Sequence, residues 1–398
     1  MTPTGLNPGL VTQISKLCEQ HAYPNRLREI LEALTDAARE EIPGLQALVL
    51  SGSVATGDFV WRESNGTTRL LSDIDVMAFA ERSGDCAAFS TRIEELERSE
   101  NSHLFHIDVS ISHVSALKHV PKRYQFVEAK HAGVAPIGPE ALDSFPLDFD
   151  LRAARQSSIG NISMSVMAWV APEAADDDGY RLSLARMILD LPILAFSEQG
   201  RCIAGHGVRV KAFLELPESH PLAVPSVRAA VEAALRMRVK GDVARRELED
   251  GALLAIDALL DFLDGRGPAG SADAALARRI GRLLPARTPR RIAGELRSAL
   301  QDSGLWLRDP GWWLRRKEAV GGAALIGLLH YAIAGMTSAP PSEITALMGN
   351  FTAGRKPEGV GKAYLANAQR LYWEGRCRLY PSEEHSQGRF SSSRRRNP

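Results

Sequence analysis

Two carboxylates one residue apart inside an apolar run constrain this chain more than any other feature. Asp73-Ile74-Asp75 lies within Leu70 to Phe79, and like charges held that close are unfavourable unless something cationic sits between them. Side chains two apart on a strand point the same way, so a strand here places Asp73 and Asp75 on one face while Ile74, Val76 and Ala78 face the core. A divalent cation held by oxygen ligands alone points to Mg²⁺. The competing reading is an exposed strand edge that carries a solvated acidic pair.

A third acid belongs with these two. In His103 to Ile111 the apolar Ile107, Val109 and Ile111 alternate with His106, Asp108 and Ser110, which predicts a strand over Leu104 to Ile111 with Asp108 on its polar face. Strand adjacency then brings a third carboxylate to the pair. Two metal ions about 4 Å apart need such a set when one orients the attacking oxygen and the other the leaving group.

The remaining piece is Gly52-Ser53-Val54-Ala55-Thr56-Gly57, which directly follows Leu45 to Leu50, a short apolar run that reads as a buried strand. A Gly-Ser pair at such a junction lets the backbone approach a phosphate, with N–H groups and the Ser53 hydroxyl as donors. It is not a Walker A loop, since no Gly-Lys-Ser/Thr follows at the required spacing. Alone, the hexapeptide reads equally as a plain strand-to-helix turn.

Around these pieces helix and strand signals alternate. Leu27, Ile30, Leu31 and Leu34 give helical spacing over Leu27 to Ile42, stopped by Pro43-Gly44. Asn65-Gly66 between extended segments predicts a hairpin that leads straight into Ser72-Asp73, and a helix fits Cys86 to Arg98. Composition shifts at Ala141 to Asp150, which places a domain boundary near residue 145. Residues 146–381 then read as mostly helical, over 151–170, 180–196, 226–239, 243–264, 272–284, 290–302, 314–336 and 361–377. The polar tail, 382–398, is expected to be disordered.

Lys and Arg together number 48, as do Asp and Glu, and this balance disfavours a long nucleic acid as partner without excluding a local basic patch. Cys18, Cys86, Cys202 and Cys377 have no Cys-x-x-Cys spacing, so neither a zinc knuckle nor a disulfide framework is expected. Met1 to Pro8 lacks the basic start and apolar run of a signal peptide, and Val320 to Met336 falls short of the roughly 20 apolar residues of a membrane span. A cytoplasmic protein with no membrane partner is the expectation.

Taken together, Gly52-Ser53 after one strand, Asp73-x-Asp75 on the next and Asp108 on a third resemble the catalytic signature of the DNA polymerase β nucleotidyltransferase superfamily. Gly133-Val134-Ala135-Pro136-Ile137-Gly138 is similar to the Gly-Val-x-x-x-Gly segment that closes the catalytic domain in small members. The resemblance covers roughly residues 25 to 140. It implies an α+β fold in which residues 1–145 form a mixed sheet flanked by helices, with a helical domain after it. It also implies a nucleotidyltransferase that moves a nucleoside monophosphate from a triphosphate, ATP being the expected donor, onto an acceptor hydroxyl of a small molecule or protein. Asp73 and Asp75 would hold two Mg²⁺ ions (Mn²⁺ being the other candidate), Asp108 the ion that activates the acceptor, and Gly52 and Ser53 the triphosphate. One departure stands out: the Asn65-Gly66 hairpin lengthens the gap between the Gly-Ser and acidic pairs.

Two other functions stay open on the sequence. One has a nucleic acid or second nucleotide as acceptor, as in tRNA-modifying or cyclic-nucleotide-forming relatives, and the other is a non-catalytic nucleotide-binding module. His103 and His106 fall on opposite faces of a strand, which argues against a zinc site, although His106 on the Asp108 face could line the cleft. Gly205-His206-Gly207 reads as a turn. Arg152, Arg155, Arg181, Arg186 and Lys211 are candidate triphosphate contacts, with solvated helix charges as the default, and Trp306, Trp312 and Trp313 read first as packing.

Overall fold

The computed structural model of the chain describes residues 8–64, 66–81, 86–100, 104–151, 154, 158 and 177–264. The chain divides into two compact units, Met1–Arg155 with Pro192–Phe213, and Gln156–Leu191 with Leu214–Pro398.

The first unit opens with helices α1 (Pro8–Gln20) and α2 (Asn25–Glu41). In α2, Leu27, Ile30, Leu31, Leu34 and Ala38 recur at three- and four-residue spacing, and all are buried. Ile42 N–H donates to Ala38 O at 3.1 Å, and Pro43, which lacks an N–H, cannot extend the ladder. There follow β1 (Leu45–Ser51), the short helix α3 (Gly52–Thr56), β2 (Trp61–Ser64), β3 (Thr67–Leu70) and β4 (Ile74–Ala80). Then come α4 (Ala87–Ser99), β5 (Ile107–His113), α5 (Tyr124–Ala132) and β6 (Val134–Ile137), the last being the Gly133-to-Gly138 segment.

Four strands form a mixed sheet in the order β5-β4-β1-β6. β1 runs antiparallel to both β4 and β6, whereas β4 and β5 are parallel because the connection through α4 carries the chain back to the end at which β4 began. The period-two pleat sorts the side chains into two cores. Leu48, Leu50, Ile74, Val76, Ala78 and Ile107 join the stripe of α2 on one face, where each large aliphatic contributes ~1.5–3 kcal/mol on burial. Ala47, Val49, Met77 and Phe79 pack with Ala129, Ala135 and Phe145 on the other. Asp75, between Ile74 and Val76, therefore belongs to the second face.

The hairpin is present as a separate two-stranded sheet, with Ser64 opposite Thr67 and Gly66 at φ +74°, the left-handed conformation that an Asn-Gly turn requires. Three expectations shift. β4 starts at Ile74, whose N–H makes a 2.8 Å bond to His106 O, so Asp73 stands one residue outside the strand rather than on it. β5 starts at Ile107 rather than Leu104, because the Ile107 N–H is taken by the Glu97 carboxylate at 2.9 Å. Gly205-His206-Gly207 is no free turn: His206 begins helix α7 (His206–Leu214), which follows α6 (Asp177–Ser197) in the chain.

In the second unit, α8 (Pro225–Lys240) packs on α9 (Arg245–Asp264). Approach is close at Gly251, where an added Cβ would lie 3.1 Å from the Ala230 Cβ. Arg181 on α6 donates to Gly241 O and Val243 O at 3.1 and 3.2 Å and pairs with Asp178, and this fixes the α8–α9 turn. Tyr180 donates to Glu249 at 2.7 Å with Arg245 stacked over its ring. No described helix is long and apolar enough to cross a membrane. The helices expected between 272 and 377, most of 151–170, Trp306, Trp312, Trp313 and the tail lie outside the described residues.

Candidate active site

Four backbone ends meet at one edge of the sheet: the C-terminus of β1, the N-terminus of α3, and the N-termini of β4 and β5. Ser51 lies opposite Asp75 in the antiparallel pair, and Asp75 lies opposite Asp108 in the parallel one. Ladder neighbours are about 4.8 Å apart and project to the same face, so Asp75 and Asp108 stand side by side above the second core. Asp75 is half-buried and Asp108 exposed.

The first turn of α3 closes over Asp75. Gly52 has φ +61°, and a Cβ built there would fall 2.0 Å from the Asp75 Oδ2 and 3.0 Å from its Cγ. Glycine is thus required twice, for the left-handed backbone and for the carboxylate that occupies the space above its Cα. Ser53 Oγ lies 3.5 Å from Asp73 O, at the limit of a hydrogen bond, and so links the corner to the turn that enters β4.

Tyr23 holds the corner from beneath. Its hydroxyl donates to Val54 O at 2.8 Å, with Ser53 O 3.2 Å away, and its ring meets Trp61 and Phe59 edge-on at 5.7 and 6.1 Å. Burial pushes its pKa well above the ordinary tyrosine value, which keeps the phenol a donor. Sequence reasoning passed over this residue, because a lone tyrosine between two helices carries no spacing signal.

His106 flanks the acids. Its Nδ1 lies 2.5 Å from Glu97 Oε1, and that hydrogen bond holds the imidazole pKa above its ordinary value, with the charges of Glu97, Asp73 and Asp108 acting in the same direction against burial. Glu97 thus places both the first amide of β5 and a ring beside Asp73 and Asp108. The sequence placed His106 on the strand face of Asp108; it sits instead on the approach to the strand.

Among the described residues, no three or more His, Cys, Asp or Glu side chains are drawn together as a metal-holding group. Asp73, Asp75 and Asp108 converge through their backbones; the carboxylate of Asp75 lies against Gly52, and Asp108 is exposed. The donor set itself suits Mg²⁺, being all carboxylate oxygen on neighbouring positions.

A second tie secures the corner from behind. The Asp58 carboxylate accepts from His206 N–H at 2.6 Å, from Gly207 N–H at 3.4 Å and from the Thr56 hydroxyl at 2.7 Å, and so joins the end of α3 to the start of α7. Further along α7, Arg209 is buried, pairs with Glu128 on α5 and donates to Ile203 O at 2.9 Å. Of the basic residues considered as triphosphate contacts, Arg181 is committed to the α8–α9 turn, Arg186 and Lys211 are exposed, and Arg152 and Arg155 lie outside the described residues. No family model, curated protein or solved structure matches the chain.

Proposed function

We propose that this chain is a metal-dependent nucleotidyltransferase of the DNA polymerase β type, moving a nucleoside monophosphate from a triphosphate, with ATP as expected donor, to an acceptor hydroxyl on a small molecule or protein. One observation carries the reading: Asp75 and Asp108 are ladder neighbours, and the carboxylate of Asp75 rests against Gly52 at the mouth of a Gly-Ser corner. Asp73, Asp75 and Asp108 would hold Mg²⁺, which when bound lowers the pKa of a coordinated hydroxyl and neutralises charge on departing pyrophosphate.

The chain's own residues supply position. The Gly52 and Ser53 amides and the Ser53 hydroxyl are the donors for the phosphate oxygens. Tyr23 and Asp58 fix the two ends of α3, so that those donors are aimed before substrate arrives. In the transfer the acceptor oxygen bonds to the α-phosphorus as the bridge to the β-phosphate breaks, and pyrophosphate leaves.

The test is incubation with each α-labelled triphosphate and Mg²⁺, alone and with fractions of cell extract. Label should pass to an acceptor with wild-type protein and fall ~100-fold or more in Asp75→Ala and in Asp108→Ala, while thermal unfolding in the absence of metal shows both variants folded. Normal labelling by purified Asp75→Ala would refute the assignment.

A further inference from the structure

We infer that Glu97 is a positioning residue for the candidate active site: its carboxylate pins the first residue of β5 and so sets the register that puts Asp108 beside Asp75. Among the described residues β5 is an edge strand, paired with β4 alone. His106 O accepts from Ile74 N–H at 2.8 Å, so that carbonyl faces β4. Because the peptide unit is planar and trans, the Ile107 N–H on its other side points the opposite way, out of the sheet edge, where it has no ladder partner. Glu97 Oε1 takes it at 2.9 Å and lies 2.5 Å from His106 Nδ1 as well. One side-chain oxygen does for the start of β5 what a further strand would do.

Register decides whether the acids can act together. Beyond the buried Ile107, every residue of β5 is half-buried or exposed, so core packing resists a slide only weakly. A slip of one residue would turn Asp108 to the opposite face, and a slip of two would carry it about 6.6 Å along β4 from Asp75. Carboxylates shared by ions about 4 Å apart tolerate neither. Glu97 is itself held. On α4, Phe89, Ile93 and Leu96 pack into the first core at the three- and four-residue spacing of one helix face. Just past them, Arg26 of α2 donates to the Glu100 carboxylate at 2.7 Å and to the Ser99 hydroxyl at 2.9 Å. The tie therefore runs from α2 through the end of α4 to Ile107, and Asp108 is the next residue along.

The inference rests on the nucleotidyltransferase reading, and the experiment separates the two. Transfer from α-labelled triphosphate with Mg²⁺ to the extract fraction that wild type labels is measured for the full chain as wild type, Glu97→Ala and Glu97→Gln, and backbone NMR contacts between β4 and β5 are recorded on the same proteins. Glutamine keeps an oxygen that accepts from Ile107 N–H, and alanine removes it. Glu97→Ala should lower kcat about 100-fold and leave the KM for the Mg²⁺–triphosphate within about twofold, since Gly52, Ser53, Asp73 and Asp75 are untouched. It should also lose the contacts between Asp75 and Asp108, and Glu97→Gln should restore most of the rate and those contacts. Glu97→Asp, a methylene short of the amide, should show the same split more mildly, and it keeps the test open should the alanine variant not fold. Wild-type kcat in Glu97→Ala, or a loss that glutamine does not rescue, overturns the positioning role and leaves the nucleotidyltransferase reading standing. Absence of label transfer by wild type overturns both.

Discussion

At the scale of single residues, Gly52 is the most demanding position. Gly52→Ala should cost about 1–2 kcal/mol for the left-handed backbone alone, and more as the new methyl displaces the Asp75 carboxylate. Urea denaturation measures the first part, and loss of Mg²⁺-dependent ATP binding the second. Tyr23→Phe removes the donor to Val54 O and leaves a buried carbonyl unpaired, so a loss of ~1–3 kcal/mol is expected on the same denaturation curve. Two thiols give a pH test. Burial pushes Cys18 and Cys202 from an ordinary value of 9.0 up to about 11. A raised folded-state value adds stability that is complete below the unfolded pKa and is lost as pH climbs through the folded one. Stability should therefore hold to about pH 9 and decline toward pH 11, and Cys18→Ala with Cys202→Ala should flatten that decline. An unaltered slope in the double variant would assign the decline to other groups.

At the scale of elements, α3 is too short to hold itself and depends on its ends. Asp58 caps α7 across a long stretch of chain and fixes Thr56 in the same carboxylate. Asp58→Ala should destabilise the first unit by about 0.5–2 kcal/mol, the usual cost of a lost helix cap, and speed amide exchange at His206 and Gly207. Unchanged exchange there would remove Asp58 from this role. The helical stripe of α2 and the hairpin turn at Gly66 follow local rules, and spacing alone predicted both. The starts of β4 and β5 did not follow, because a bond from Ile74 to His106 and another from Ile107 to Glu97 set where the ladders begin.

At the scale of the whole molecule, ligand and fold should be coupled by mass action. A Mg²⁺–nucleotide complex at about 100 times its dissociation constant stabilises by ~2.7 kcal/mol, so scanning calorimetry should show a higher unfolding temperature with Mg²⁺ and ATP together than with either alone. Asp73→Asn should abolish the increment. A shift that survives this substitution would place the nucleotide elsewhere.

Local pattern determined much of this protein before any contact was known: the apolar alternation that builds two sheet faces, the amphipathic stripe of α2, the Asn-Gly turn, and the types of residue available for chemistry at Gly52, Ser53, Asp73, Asp75 and Asp108. Those are properties of short windows, set by helix and strand periodicity and by the conformational freedom of glycine. Only the tertiary structure decided that Asp75 and Asp108 are neighbours in register, that the Asp75 carboxylate lies on Gly52, and that Tyr23 and Asp58 hold α3. Strand order and long-range hydrogen bonds depend on which distant segments can be buried together, and no local window of sequence contains that information.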